Sequence, residues 1–273
     1  MVRQMYTKSS DWLALDPERT IEQCVSFIKR MVEESRTTGT IIGLSGGIDS
    51  SVVASLCVRA IGADRVLGIL IPVDFTPQRD IEDAELLAQQ LGIGTKRLEV
   101  TQILHDLIGK ADNDETNPKT RMARGNLLAR LRMAILYYYA NLTNRLVAGT
   151  SDKSEVLIGF FTKHGDGAAD LYPIRHLYKT QVLRIAETLG IPARIREKPS
   201  SPQLYPGHAL LDELPLDYRL LDPALYAIFE LNMPIEAAGK ATGIDIDLLE
   251  EINRRHGSTS HKRAAPPTVI QTP

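Results

Sequence analysis

Apolar positions along the chain follow two periods that alternate from segment to segment. Residues 17–35 place Ile21, Cys24, Val25, Ile28 and Val32 on one face at helical spacing. Residues 40–44, Thr-Ile-Ile-Gly-Leu, form a short apolar run of the kind found in buried strands. A helix is predicted next, beginning after a glycine turn and closed by Gly62. Residues 65–71 repeat the buried-strand pattern, and Ile81, Ala84, Leu87, Ala88 and Leu91 give a helix face that stops at Gly92. The remaining pattern reads as a weaker strand over 95–100, a short helix over 102–108, a long helix over 120–143, a strand over 146–150 and a helix over 180–189 closed by Gly190. Two short helices turning at Gly243 are expected over 235–256. Stretches 110–119 and 199–215 read as loops, the first of them mobile, and the polar, proline-rich tail 258–273 is also expected to be mobile.

Strands separated by helices imply an α/β protein: one domain built on a parallel sheet, with right-handed crossovers and helices on both faces. Ligands of such sheets bind at the carboxyl ends of the strands. The candidate edges begin at Ser45, Pro72 and Thr150.

The first of these edges carries the clearest chemistry. Ser45-Gly46-Gly47-Ile48-Asp49-Ser50-Ser51 lies between a strand and a helix. Two adjacent glycines let the backbone approach a bulky anion without Cβ clashes. The free N–H groups and the positive end of the helix dipole point at the same place. Ser45, Ser50 and Ser51 supply hydroxyls. Asp49 would repel a phosphate unless a divalent cation lay between them. The loop therefore suits the pyrophosphate end of a metal-bound nucleotide. No Gly-Lys-Ser/Thr follows it and no Gly-x-Gly-x-x-Gly is present, which excludes a Walker loop and a dinucleotide fingerprint. The plain structural alternative is an Asp or Ser cap after a glycine turn.

Composition narrows the partners. The chain has 273 residues, 43 % hydrophobic and 24 % charged, with a net charge of −2 and a pI near 6.3. Nothing in that balance calls for nucleic acid. Cys24 and Cys57 fall within apolar helical patterns and read as small buried hydrophobes, with no disulfide framework or metal-ligand spacing. The N-terminus has no apolar signal region, and the longest apolar runs, near 66–73 and 133–140, are too short to cross a bilayer. A cytoplasmic protein with no membrane partner is expected.

Residues 149–174 hold a second polar constellation, with Glu155, Lys163, His164, Asp166 and Asp170 among several glycines. Taken alone it reads as a polar loop and not as packed helix. Together with the glycine loop, it makes the chain resemble the ammonia-dependent NAD synthetases. The matching pieces are 43–51, 68–72, 129–133, 149–151, Glu155, 159–173, Lys179 and 260–263, in family order. Gly-Phe-Phe-Thr-Lys-x-Gly-Asp-Gly-x-Ala-Asp is the most specific of them.

The resemblance implies a Rossmann-like, adenine nucleotide α-hydrolase-like fold and a reaction. ATP adenylates the nicotinate carboxylate of deamido-NAD with release of pyrophosphate, and ammonia then displaces AMP. It implies that Gly43, Leu44, Ser45, Gly46, Gly47, Ile48, Asp49 and Ser50 hold ATP, with Mg²⁺ on Asp49 and Glu155. Thr150, Lys179 and Ser201 would also meet ATP. A lysine at a helix N-terminus is electrostatically poor, which itself points to an anion beside Lys179. Arg130, Lys163, Asp170, His261 and Lys262 would bind deamido-NAD, and Asp166 would position or deprotonate ammonia. Arg132, two residues on from Arg130, faces elsewhere on a helix and receives no role.

The chain departs from the family after Ser201, where Gln203-Leu204-Tyr205-Pro206-Gly207-His208-Ala209 carries no acid before Asp212-Glu213. The family also implies a homodimer, for which the helix over 120–143 with Tyr137-Tyr138-Tyr139 is the candidate interface. No glutaminase features are present. The competing readings are another amidating or thiolating ATP pyrophosphatase and a non-catalytic nucleotide-binding module.

Overall fold

The computed structural model describes residues 12–109, 114, 116–199, 201, 203–208, 214 and 216–269. Asp212, Glu213, much of the predicted 110–119 loop and the last residues of the tail lie outside that set.

In chain order the elements are α1 (Pro17–Glu34), β1 (Gly39–Gly43), α2 (Ile48–Ile61), β2 (Val66–Leu70), α3 (Gln78–Leu91), β3 (Gly94–Arg97), α4 (Thr101–Ile108), α5 (Pro118–Thr143), β4 (Arg145–Val147), α6 (Lys153–Ile158), α7 (Lys179–Thr188), α8 (Ala193–Arg196), α9 (Tyr218–Leu225), α10 (Ile235–Thr242), α11 (Ile246–Ser258) and α12 (Ser260–Arg263). A π-helical turn, Tyr226–Glu230, continues α9.

The strands form one parallel sheet in the order β3-β2-β1-β4. Ile41 stands opposite both Leu67 and Val147. The period of two then sorts the side chains. Ile42 and Leu44 join α1, α2, α3 and α7 in one core, whereas Ile41, Ile69 and Val147 join α4 and α5 in another. Helices thus cover both faces, as the sequence pattern requires. All four β3 residues are exposed, so this edge strand has little apolar signal to read. Cys24 and Cys57 lie in the first core, and burial pushes their thiols up to about 11 and about 12. They act as packed hydrophobes.

A third core joins Leu13, Ile158 and Tyr178 to α9, the π turn, α10 and α11. The apolar pattern does not predict α6, α8, α9 or α12. Segment 149–174 reads as loop, yet α6 forms inside it. Six residues are under two turns, too few to show a period, and α6 is fixed by a capping box. Asp152 Oδ1 accepts the Glu155 N–H at 2.9 Å, and Glu155 Oε2 accepts the Asp152 N–H at 3.4 Å.

The chain runs from β1 outward to β2 and β3, then returns to place β4 on the other side of β1. The order reverses between β1 and β4, so a crevice opens where both strands end. Among the described residues no helix is long and apolar enough to cross a membrane.

Candidate active site

A cavity of about 500 Å³ occupies that crevice. Its wall includes the glycine loop, Ile69–Pro72 at the end of β2, Thr150 beyond β4, Glu155, Asp166, Lys179, Lys198, Ser201, Tyr218 and Lys262.

The loop is built to leave donors open. Gly46 has φ +74°, and a Cβ there would lie 2.1 Å from the Asp80 carbonyl oxygen, so only glycine fits. Gly47 caps α2 without a side chain, which leaves the first helical N–H groups for an outside acceptor. The serines brace this shape. Ser50 and Ser51 donate to the Gly47 carbonyl at 3.1 and 2.7 Å, and Ser45 Oγ accepts from the Gly47 N–H at 3.3 Å. They support the turn instead of adding free hydroxyl donors.

Beside the loop lies a buried charge cluster. Lys179 Nζ meets Asp49 Oδ2 at 2.7 Å, Asp152 Oδ2 at 2.8 Å and Glu155 Oε1 at 3.1 Å. Its side chain is 2 % exposed. Burial opposes the charge on Lys179, but the three carboxylates outweigh it and hold the ammonium well above its ordinary pKa. Burial pushes Asp152 up to about 6 and Glu155 well above the carboxylate range, although Lys179 pulls both down. The anions foreshadowed by a lysine at a helix start are these carboxylates. The N-terminus of α7 is served by a fourth, since Asp222 Oδ2 accepts the Thr180 N–H at 2.8 Å.

The cluster also fits a hard cation. Asp49 Oδ1 is buried and receives no hydrogen bond from any described residue. Among the described residues no group of three or more His, Cys, Asp or Glu side chains is arranged as a metal cage. Mg²⁺ asks for less, because it keeps waters and shares substrate phosphates while taking one or two carboxylates. Asp49 and Glu155 are such a pair.

Asp166 faces the cavity. Its Oδ1 accepts the Thr162 N–H at 2.8 Å, and burial raises its pKa against the pull of that bond and of Lys262. Lys262 donates to the Gly159 and Phe161 carbonyls at 2.8 Å each. Ser201 lines the cavity and donates to the His208 carbonyl.

The other residues assigned to the dinucleotide stand beside the cavity. Arg130 is exposed and reaches the Lys163 carbonyl at 3.3 Å, while Lys163 Nζ donates to the His261 carbonyl at 2.7 Å. Asp170 accepts the Val147 N–H at 2.7 Å and the Tyr137 hydroxyl at 3.1 Å.

Sequence reasoning missed four residues of this region. It prefers Arg130 to Arg132, yet Arg132 lines the cavity, with Nε on the Ile71 carbonyl at 3.2 Å. Burial lowers its pKa to about 10. The helical argument separates the two arginines correctly but does not say which side of α5 meets the crevice. Asp152 was legible as the start of an Asp-x-x-Glu capping box. Tyr218, whose ring centre lies 5.1 Å from the Lys179 ammonium, and Lys198 carried no local signal.

A parallel sheet with an anion-binding glycine loop and a carboxylate pair at its switch point defines a nucleotide-using α/β enzyme. The comparisons then narrow the class. The NAD synthase family pattern matches residues 20–266. The NH(3)-dependent NAD(+) synthetase of Hyperthermus butylicus is 44 % identical over 94 % of this chain and 92 % of its own. Among solved structures, an NMN synthetase from Francisella tularensis superposes with a TM-score of 0.81 at 31 % identity, covering 94 % of this chain and 99 % of that one. The NH3-dependent NAD synthetase of Campylobacter jejuni gives 0.79 at 30 % identity, covering 94 % and 100 %. The chain belongs to the NAD synthase family.

Proposed function

We propose that this chain is a carbon–nitrogen ligase that amidates deamido-NAD with ammonia at the expense of ATP. The observation that carries the reading is the meeting of two devices at one switch point. An uncapped glycine loop stands ready for phosphates, and the Asp49–Glu155–Lys179 cluster stands beside it. A carboxylate oxygen of the nicotinate ring attacks the α-phosphorus of ATP, and pyrophosphate leaves. Ammonia then attacks the acyl carbon, AMP leaves, and a proton is lost. The loop N–H groups and Lys179 hold the phosphates against the attacking carboxylate, which is catalysis by positioning and charge stabilisation. Asp49 and Glu155 would hold Mg²⁺, which would neutralise phosphate charge. Thr150 and Ser201 flank the nucleotide. Asp166 faces the acyl centre and takes the proton that ammonia gives up. Arg130, Lys163, Asp170, His261 and Lys262 hold the dinucleotide, with the segment that carries His261 and Lys262 closing over it.

The protein acts as a cytoplasmic homodimer in this reading. Tyr138 and Leu142, 61 % and 64 % exposed on α5, are the apolar positions offered to a second copy.

The test is turnover by the purified chain with ATP, Mg²⁺ and deamido-NAD, supplying either ammonium or glutamine. Ammonium supports product formation and glutamine does not. Nicotinate mononucleotide is run as a competing acceptor because one structural neighbour is an NMN synthetase. Preference for the mononucleotide would move the chain to that substrate, and use of glutamine as efficiently as ammonium would refute the ammonia reading.

A further inference from the structure

We propose that Lys198 is a positioning residue of the phosphate loop, acting through the Gly46 carbonyl to fix the Gly46–Gly47 peptide and so the turn that presents the first N–H groups of α2. The inference rests on the assignment of ATP to this loop. Lys198 Nζ donates to the Gly46 carbonyl at 3.0 Å. The same ammonium meets Asp83 Oδ2 at 2.6 Å and also Asp80 Oδ1. Two of the ammonium's three hydrogens are given to the Gly46 carbonyl and to Asp80, and Asp83 adds an ion pair without a hydrogen bond. Although Lys198 lines the cavity, its ammonium is held on the α3 side by Gly46, Asp80 and Asp83.

Peptide geometry explains what this grip does. The Gly46 carbonyl and the Gly47 N–H belong to one planar, trans peptide and point in opposite directions. Holding the oxygen on the α3 side aims the hydrogen away from it. A Gly-Gly peptide has little internal resistance to rotation, so it is held from both ends, its N–H by Ser45 Oγ at 3.3 Å and its oxygen by Lys198. Asp80 contributes twice. Its main-chain carbonyl stands 2.1 Å from where a Cβ on Gly46 would lie, and its carboxylate holds Lys198. Gln203 donates to the other Asp80 oxygen, so the segment that carries Ser201 is tied to the same point.

The anchor is balanced in charge. Asp83 is fully buried, with 0 % exposure, and is also paired with Arg194. With Arg79 also 4.0 Å from Asp83 and Glu82 4.0 Å from Arg194, three carboxylates face three cations there. The charges in that group balance, unlike those around Lys179.

The test is calorimetric titration of the full chain with ATP and Mg²⁺, and separately with deamido-NAD, for Lys198→Met, Lys198→Arg and Asp83→Asn. Lys198→Met weakens ATP binding about tenfold, the effect of one ordinary hydrogen bond, and leaves dinucleotide binding within about twofold. In steady state its KM for ATP rises while that for the dinucleotide holds. Lys198→Arg recovers part of the loss. Asp83→Asn is the deciding variant, because Asp83 does not line the cavity. Acting through the loop, it weakens ATP in the same direction by a few fold. If Asp83→Asn leaves ATP binding unchanged or tighter, Lys198 touches the nucleotide directly and the positioning role is overturned. Parallel loss of both ligands together with melting temperature in Lys198→Met means that the residue only supports the fold, which also overturns it. A wild-type chain that does not bind ATP removes the ATP assignment itself.

Discussion

Two largely buried lysines flank the glycine loop, and their surroundings differ in one respect that separates chemistry from scaffold. Lys179 faces Asp49, Asp152 and Glu155, one ammonium against three carboxylates. Lys198 faces Asp80 and Asp83, Arg194 and Arg79 join it on Asp83, and Glu82 pairs with Arg194. The second cluster is formally neutral, while the first carries a formal excess of two negative charges. A buried excess of charge is costly and is relieved by protons or by a cation. The raised pKa values of Asp152 and Glu155 show proton uptake as one route. A divalent ion on Asp49 and Glu155 would provide the other. An incomplete charge balance beside an anion cradle is a site waiting for ligands. A complete one, on the other flank of the same loop, is a brace.

The most severe way to break this contrast is Asp49→Asn. Losing a charged oxygen ligand to a hard cation should cut Mg²⁺-dependent pyrophosphate release by at least about a hundredfold, with unchanged circular dichroism. Near-normal turnover in that variant would end the metal role. Lys179→Met tests the charge excess itself. Leaving buried carboxylates without their cation costs on the order of 3–5 kcal/mol of stability. Mg²⁺ alone should restore part of that loss in a thermal melt, since it supplies the missing positive charge. Lys198→Met should lose less, because Arg194 stays on Asp83, and Mg²⁺ should restore none of it. Equal rescue of both variants would erase the distinction between the clusters.

The same contrast governs what the sequence could reveal. The loop was legible because its chemistry is local: glycines, an acid and serines are contiguous between a strand and a helix. The long elements were legible for the same reason, with α1, α2, α3 and α5 starting or ending within a few residues of where their patterns do. Asp80, Asp83, Arg194 and Lys198 come from two segments about 115 residues apart and meet only because α3 packs against the loop and α8. No spacing rule reaches across that distance. Family resemblance found Lys179 and Glu155 but not Asp152, the third carboxylate on that ammonium. A residue that acts through neighbours leaves no motif of its own. Arg132 shows the remaining gap: periodicity fixes which residues share a helix face, and only tertiary packing decides which face meets the cavity.

The smallest predicted effect is a pH dependence, and it probes the charge excess without a metal or a substrate. Burial raises Asp152 to about 6 in the folded chain, against an ordinary value of 3.8. Between those values the unfolded chain has released this proton and the folded chain has not. Raising the pH through that window therefore weakens folding, and above about 6 the cost is fully present. The Asp152→Asn variant carries no such proton, yet its side-chain oxygen can still cap α6. The stability of the wild-type chain relative to Asp152→Asn should thus fall by on the order of 2 kcal/mol from about pH 4 to about pH 6 and then level off. Urea unfolding of both proteins at each pH measures it. Mg²⁺ should flatten the difference, because a cation in the cluster keeps its carboxylates ionised at lower pH. A difference that stays flat across that window without Mg²⁺ would mean that Lys179 already balances its three carboxylates, and the two lysine clusters would then be alike.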